Sequence, residues 1–250
     1  MQLRSGEKRL LERDGAAAVY SASEAEFVVD PAVRGRGIGT AVLEEIMEKS
    51  DPTVKIWAHG DHPAARALAA SHGFAPVRRL LQLRAPVDRS SAVETPAEET
   101  AAGETATGEI ATDAFRPGVD DAAWLGLNSL AFASHLEQGS VSQADFEELM
   151  GEPWFDAEDF LVLRDGGALI GYCWLKVEEP VGEFYVVGVD PERQGEGLGR
   201  RLMYAGFARL ASRGIRIAAL YVESDNVAAV ALYRSLGFSD HSVDIQYARA

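Results

Sequence analysis

One passage of this sequence is written twice. Val28-Val29-Asp30-Pro31 leads after two residues into Arg34-Gly35-Arg36-Gly37-Ile38-Gly39, and Gly188-Val189-Asp190-Pro191 leads after two residues into Gln194-Gly195-Glu196-Gly197-Leu198-Gly199. In each copy an apolar strand runs into a glycine-rich turn that opens an amphipathic helix, so main-chain N–H groups at a helix N-terminus are presented to an anion such as a phosphate. The following segments match as well: His62-Pro63-Ala64-Ala65 reaches Gly73-Phe74 at the spacing that carries Asn226-Val227-Ala228-Ala229 to Gly237-Phe238. A chain with this repeat is constrained to two tandem copies of one α/β unit, each built around an anion cradle.

The rest of the sequence narrows the setting. A length of 250 residues with 47% hydrophobic residues suffices for two cores. No apolar run approaches the roughly 20 residues of a membrane span, and Met1-Gln2-Leu3-Arg4 leads into charged residues, not a signal peptide, so a soluble cytoplasmic chain is expected. A net charge of −15 argues against nucleic acid or an anionic membrane as partner. The single cysteine, Cys173, has no partner for a disulfide or a zinc site, and no metal is expected. A monomer acting on a small molecule is the simplest expectation.

Residues 87–112 are rich in Ala, Glu, Thr, Ser and Pro and nearly devoid of large apolar residues, which predicts a disordered linker between a domain at 1–86 and a domain at 113–250. Beyond it, Thr112 to Arg116 reads as a strand, Asp120 to Phe132 as a helix, and Ser142 as the N-cap of a helix ending at Met150. Phe160 to Arg164 and Ala168 to Val177 flank the turn Asp165-Gly166-Gly167, and Glu183 to Val189 supplies a third antiparallel strand. In the first copy Leu10 to Tyr20 can form a hairpin, but nothing corresponds to the strand and helices at 112–151. The first domain therefore reads as truncated at its N-terminus.

Spacing decides among anion cradles. Neither copy has the Gly-x-Gly-x-x-Gly of a dinucleotide fold or the Gly-Lys-Ser/Thr of a P-loop. Both have Gln/Arg-x-x-Gly-x-Gly after a strand ending in Val-Asp-Pro, which resembles the pyrophosphate loop of the GNAT superfamily of N-acetyltransferases. Leu232-Tyr233-Arg234-Ser235-Leu236-Gly237-Phe238 resembles that family's next helix. The resemblance implies an α/β (α+β) mixed sheet in two tandem GNAT domains, with acetyl-CoA bound as cosubstrate between two splayed parallel strands. The residues it implies for acetyl-CoA are Val187, Gly188, Val189, Gln194, Gly195, Glu196, Gly197, Leu198, Gly199, Arg200, Asn226, Ala228 and Ala229, and in the first copy Phe27, Val28, Val29, Arg34, Gly35, Arg36, Gly37, Ile38 and Gly39.

Across residues 113–250 the resemblance is narrower. His135-Leu136-Glu137-Gln138-Gly139, Glu152-Pro153-Trp154-Phe155-Asp156, Trp174-Leu175-Lys176, Gly182-Glu183-Phe184-Tyr185 and Leu220-Tyr221-Val222-Glu223-Ser224-Asp225-Asn226 are similar to the mycothiol synthase family, which acetylates the cysteinyl amine of cysteinyl-glucosaminyl-inositol. Leu136 stands where that family usually has proline, and the loops after Arg164 and Arg213 are short. The resemblance implies Glu183 as general base, acting through water, Tyr233 as general acid toward the CoA sulfur, and Glu137, Lys176, Glu183 and Tyr221 as contacts to the acceptor. Each has a plainer alternative: Glu183 a solvated strand-edge carboxylate, Tyr233 a core tyrosine, Glu137 a loop charge, Lys176 a solvated strand residue, Tyr221 sheet packing. His135 and Trp154 read as structural.

The repeat is its own control. Sliding the first cradle onto the second puts Ser23 at the place of Glu183, and sliding the Gly-Phe pairs together puts Ala69 at the place of Tyr233. The first domain is then expected to bind acetyl-CoA or to stabilise its neighbour without transferring an acetyl group, although Glu24 and Glu26 lie close by. Two other readings stand beside acetylation of the aminoacyl-sugar: transfer to a protein N-terminus or an aminoglycoside, and a silent acyl-CoA-binding sensor.

Overall fold

The computed structural model describes residues 8–87, 110–133 and 138–249. Most of the expected linker, together with His135, Leu136 and Glu137, lies outside the described residues. The chain forms two compact units. One comprises the chain up to Leu83 with Val222–Ala231 and the stretch from Asp240 onward; the other comprises the chain from Arg84 to Tyr221 with Leu232–Ser239. This division differs from the single boundary that composition predicts, because the end of the chain packs with the beginning.

In the first unit β1 (Arg9–Arg13) and β2 (Ala16–Tyr20) form an antiparallel hairpin, followed by β3 (Glu24–Val29), α1 (Ile38–Lys49), β4 (Lys55–His59), α2 (Pro63–Ser71) and β5 (Phe74–Pro86) as far as Leu83. The strand order is β1-β2-β3-β4-β11-β5, where β11 (Ser239–Arg249) is the last strand of the chain. β11 runs antiparallel to β4, with Gln246 opposite Trp57 and Tyr247 opposite Ile56. Its alternation explains the placement: Val243, Ile245 and Tyr247 join the core formed by Val42, Leu43 and Ile46 of α1 with Tyr20, Ala25 and Ile56.

The second unit contains β6 (Ala111–Ala114), α3 (Asp121–Ala131), α4 (Gln143–Met150), β7 (Phe160–Asp165), β8 (Ala168–Glu178), β9 (Val181–Val189), α5 (Leu198–Ser212), β10 (Ile217–Glu223) as far as Tyr221 and α6 (Val227–Ser235) from Leu232, with strand order β10-β9-β8-β7-β6. β6 to β9 are antiparallel neighbours, and β9 and β10 are parallel. Ser142 caps α4 in a reciprocal box with Asp145. Gly166 and Gly167, at φ of 56° and 91°, close the β7–β8 hairpin. Over one face of this sheet α3 and α4 bury an aromatic core: Phe160 stacks on Phe115 at 4.3 Å and on Trp174 at 4.6 Å, and Trp124 stacks on Phe146 at 4.3 Å.

Candidate active site

Each cradle is built by the same local chemistry. Asp190 accepts a hydrogen bond from Glu192 N at 2.9 Å and Asp30 one from Ala32 N at 2.8 Å, and the proline after each aspartate opens a short 3-10 turn. Two glycines at positive φ then turn the chain into the helix: Gly195 at 88° and Gly197 at 79° before α5, Gly35 at 78° and Gly37 at 81° before α1. Among the described residues the main-chain N–H groups from Gln194 to Arg200 find no acceptor, and neither do those from Gly35 to Thr40. Such a row at a helix N-terminus fits an anion with several oxygens. Around the second cradle Arg193 pairs with Glu196 at 2.8 Å and Asp165 at 2.9 Å, and Arg200 donates to Ser235 Oγ at 2.9 Å. In the first, Arg34 turns back to Val29 O at 3.0 Å and Arg36 is exposed.

Beside each cradle the parallel strands part. β9 and β10 pair only from Val181–Ile217 to Phe184–Leu220, yet β9 continues to Val189, so Val187, Gly188 and Val189 lie past the last pair. In the first unit β3 and β4 pair through Glu26–Trp57, and Phe27, Val28 and Val29 run on beyond. Strand edges released in this way leave main-chain donors and acceptors for an extended ligand. Asn226 caps the start of α6 by accepting from Ala229 N at 3.2 Å, with Ala228 in the same turn.

The register brings together three of the four residues that the resemblance implies as acceptor contacts. Lys176 is opposite Glu183 across β8 and β9, and Ala219 is opposite Glu183 across β9 and β10. Directly opposed side chains share a face, and Tyr221, two residues beyond Ala219, is on that face as well. Tyr221 is 38% exposed and Glu183 is half-buried. Burial pushes the Glu183 carboxyl above its usual range, against the pull of Lys176. Glu137 lies outside the described residues.

Tyr233 comes from α6 and lies edge-on to Phe238 at 6.0 Å, which in turn meets Phe184 of β9 at 5.9 Å. Its hydroxyl is pushed up to about 12, first by burial and then by Cys173, so it stays protonated at neutral pH. Cys173 is itself wholly buried, its thiol driven up by desolvation. A buried phenol of this kind can give a proton and is a poor base.

The strands also correct the correspondence between the two copies. β8 and β9 carry a bulge: Trp174 pairs with Val186 but Leu175 with Phe184, leaving Tyr185 as an extra residue. β2 and β3 pair without any shift. Counted back from the cradle, the residue at the place of Glu183 is therefore Glu24, not Ser23. The parallel partners agree, because Glu24 pairs with Lys55 and Glu183 with Ala219, and Lys55 maps to Ala219 at the spacing that carries Gly73-Phe74 onto Gly237-Phe238. Glu24 is differently engaged, accepting from Gln246 Nε2 at 2.7 Å and Trp57 Nε1 at 3.3 Å. Ala69 remains at the place of Tyr233 and is buried in α2.

Two aromatic residues join the Glu183 face: Trp154, which the sequence reads as structural, and Tyr185, to which it gives no role. Tyr185 and Trp154 lie 5.2 Å apart, and the Lys176 ammonium is 5.3 Å from the Trp154 ring centre. Alternation along β9 from Glu183 is the signal that could have placed Tyr185 there.

Known proteins agree with this geometry. Residues 10–74 and 127–238 match the acetyltransferase (GNAT) family model. The fold is similar to a GCN5-related N-acetyltransferase from Sphaerobacter thermophilus, with a TM-score of 0.74, 20% identity and coverage of 94% of this chain and 76% of that one. It is also similar to a tandem GNAT protein from the clavulanic acid biosynthesis pathway, with a TM-score of 0.63, 17% identity and coverage of 93% and 77%. Cradles, splayed strands and family match together make this chain a GNAT acetyltransferase. Over 237 residues it is 46% identical to the mycothiol acetyltransferase of Sanguibacter keddieii, covering 91% of this chain and 74% of that one. Over 232 residues it is 48% identical to that of Clavibacter michiganensis subsp. michiganensis, covering 91% and 72%. Within the GNAT family, the chain belongs to the mycothiol acetyltransferases.

Proposed function

We propose that the second unit transfers the acetyl group of acetyl-CoA to the cysteinyl amine of cysteinyl-glucosaminyl-inositol, the last step of mycothiol biosynthesis. The observation that carries this reading is the grouping of Glu183, Lys176 and Tyr221 on one face of β8–β10, where β9 and β10 begin to part. A carboxylate suits an ammonium-bearing acceptor, and Lys176 and Tyr221 offer donors to its hydroxyls. Glu137 is proposed as a further acceptor contact. The row of N–H groups from Gln194 to Arg200 holds the pyrophosphate, and the free edge of Val187 to Val189 holds the pantetheine and the thioester oxygen.

Glu183 takes a proton from the acceptor ammonium through water, the freed amine attacks the thioester carbonyl carbon, the C–S bond breaks as Tyr233 gives its proton to the departing sulfur, and the extra proton on the new amide nitrogen passes to the Tyr233 oxygen and restores it. Burial raises the Glu183 carboxyl, the direction that favours a base, and Tyr233 carries its proton at neutral pH. The first unit has a cradle, a carboxylate already tied by two donors, and Ala69 at the place of Tyr233. We assign it acetyl-CoA binding or support of its neighbour, without transfer. The chain acts as a cytoplasmic monomer in this reading.

Glu183→Gln tests the base. It should lower turnover by roughly 10²–10⁴-fold and remove the acidic limb of kcat/KM against pH, with acetyl-CoA binding intact. Wild-type turnover with an unchanged acidic limb would eliminate Glu183 as the base.

A further inference from the structure

The Glu183 face holds one arrangement that this reaction does not use. An ammonium directly opposite a carboxylate on paired strands ordinarily closes onto it. Lys176 does not. Its Nζ lies 3.0 Å from Glu178 Oε2 and 5.3 Å from the centre of the Trp154 ring, and among the described residues Glu183 makes no ion pair or side-chain hydrogen bond. Glu178 is 65% exposed, so its pairing with Lys176 is of the weak, solvated kind. The indole face is the firmer half of this perch, since Trp gives an ammonium the strongest of the aromatic faces. Trp154 is fixed for the purpose, lying 5.6 Å from the fully buried Trp174 and 5.2 Å from Tyr185.

We infer that Trp154 is a positioning residue whose indole face, with Glu178, holds the Lys176 ammonium away from Glu183 and so leaves that carboxylate free to take the acceptor's proton. The inference rests on Glu183 being the base. The charged and titratable groups around Glu183 are few among the described residues. β8 supplies Lys176 and Glu178, β9 supplies Tyr185, the segment before Trp154 supplies Glu152 beside Tyr185, and β10 supplies uncharged Ala219 with Tyr221 beyond it. Lys176 is thus the one cation of that set. Were it to close on Glu183, the pair would hold the carboxylate ionised to lower pH and occupy the lone pairs that accept the proton.

The test is a titration of Glu183 in the full chain, read by carbon-13 NMR of labelled glutamate carboxyls, with its signal identified by its loss in Glu183→Gln. In Trp154→Leu the ammonium is released, and the Glu183 titration should fall by about 1–3 pH units, the usual effect of an opposite charge at contact. The acidic limb of kcat/KM should move to lower pH with it. Adding Lys176→Met to Trp154→Leu should return the titration to the wild-type position or above, which a merely structural role for Trp154 would not produce. Trp154→Phe keeps an aromatic face and its packing; it should show the same shift at smaller size, and it serves if the leucine variant does not fold. An unmoved Glu183 titration in both Trp154 variants, or a shift that survives Lys176→Met, would overturn the inference. A fully active Glu183→Gln enzyme would overturn the base assignment instead, a result visible apart from the titration.

Discussion

Gly197 and Gly37 offer a matched pair in which stability and function separate. Both are the residue before a cradle helix, at φ of 79° and 81°, and a Cβ added at either meets nothing within 4 Å. Leucine at either position therefore costs only the left-handed backbone, roughly 1–2 kcal/mol, and each variant should lose a few degrees in Tm, about 2–4 °C per kcal/mol for a chain of this size. The side chain would stand before the row of N–H groups that the anion needs. At Gly197, loss of one charge-assisted hydrogen bond of about 1.5–3 kcal/mol should raise the KM for acetyl-CoA by roughly ten- to a hundredfold. Gly37→Leu should leave that KM unchanged. The assay is chromatographic measurement of released CoA against acetyl-CoA concentration, beside thermal melts. Equal rises in KM from the two variants would refute the division of labour, and unequal Tm losses would refute the strain argument.

Three other outcomes follow from particular contacts. A Cβ at Gly188 would stand 2.6 Å from the buried Tyr172 ring, whose hydroxyl donates to Asn128 Oδ1 at 2.6 Å; Gly188→Ala should cost about 1–3 kcal/mol in urea unfolding, and clearly less in a Tyr172→Leu background. His59 lies 3.3 Å from Asp244 and 2.9 Å from Glu26, and these carboxylates raise it to about 9, Asp244 foremost and against desolvation. A folded-state value above the unfolded one contributes stability that is full below pH 6.5 and lost as pH rises through about 9, so Tm should decline over that window more in wild type than in His59→Gln. Tyr233→Phe keeps the ring against Phe238 and should slow turnover while altering the basic limb of the pH profile, leaving the acidic limb in place.

The local devices were legible because each has a residue-type signature. Ser142 before α4, Asp165-Gly166-Gly167 between β7 and β8, and the two Asp-Pro turns into glycine-rich helix starts are written in consecutive residues. What escaped depends on partners distant in sequence. The alternation of Val243, Ile245 and Tyr247 announces a strand, but that β11 packs on α1 and β4 follows from tertiary packing alone. The bulge at Tyr185 has no compositional mark, and without it the copies align one residue out of step, with Ser23 in the place that Glu24 holds. Lys176 and Trp154 meet only once β8 is paired and the segment after α4 is laid over it.

The most direct measurement incubates the protein with acetyl-CoA and cysteinyl-glucosaminyl-inositol, with an N-terminal peptide and an aminoglycoside as competing acceptors in the same tube, and follows all products by mass spectrometry. The account predicts an aminoacyl-sugar one acetyl group heavier, with fragmentation placing the acetyl on the cysteinyl nitrogen, and little of that product from Glu183→Gln. Faster acetylation of the peptide or the aminoglycoside, or no acetylated product from folded protein that binds acetyl-CoA, would contradict it.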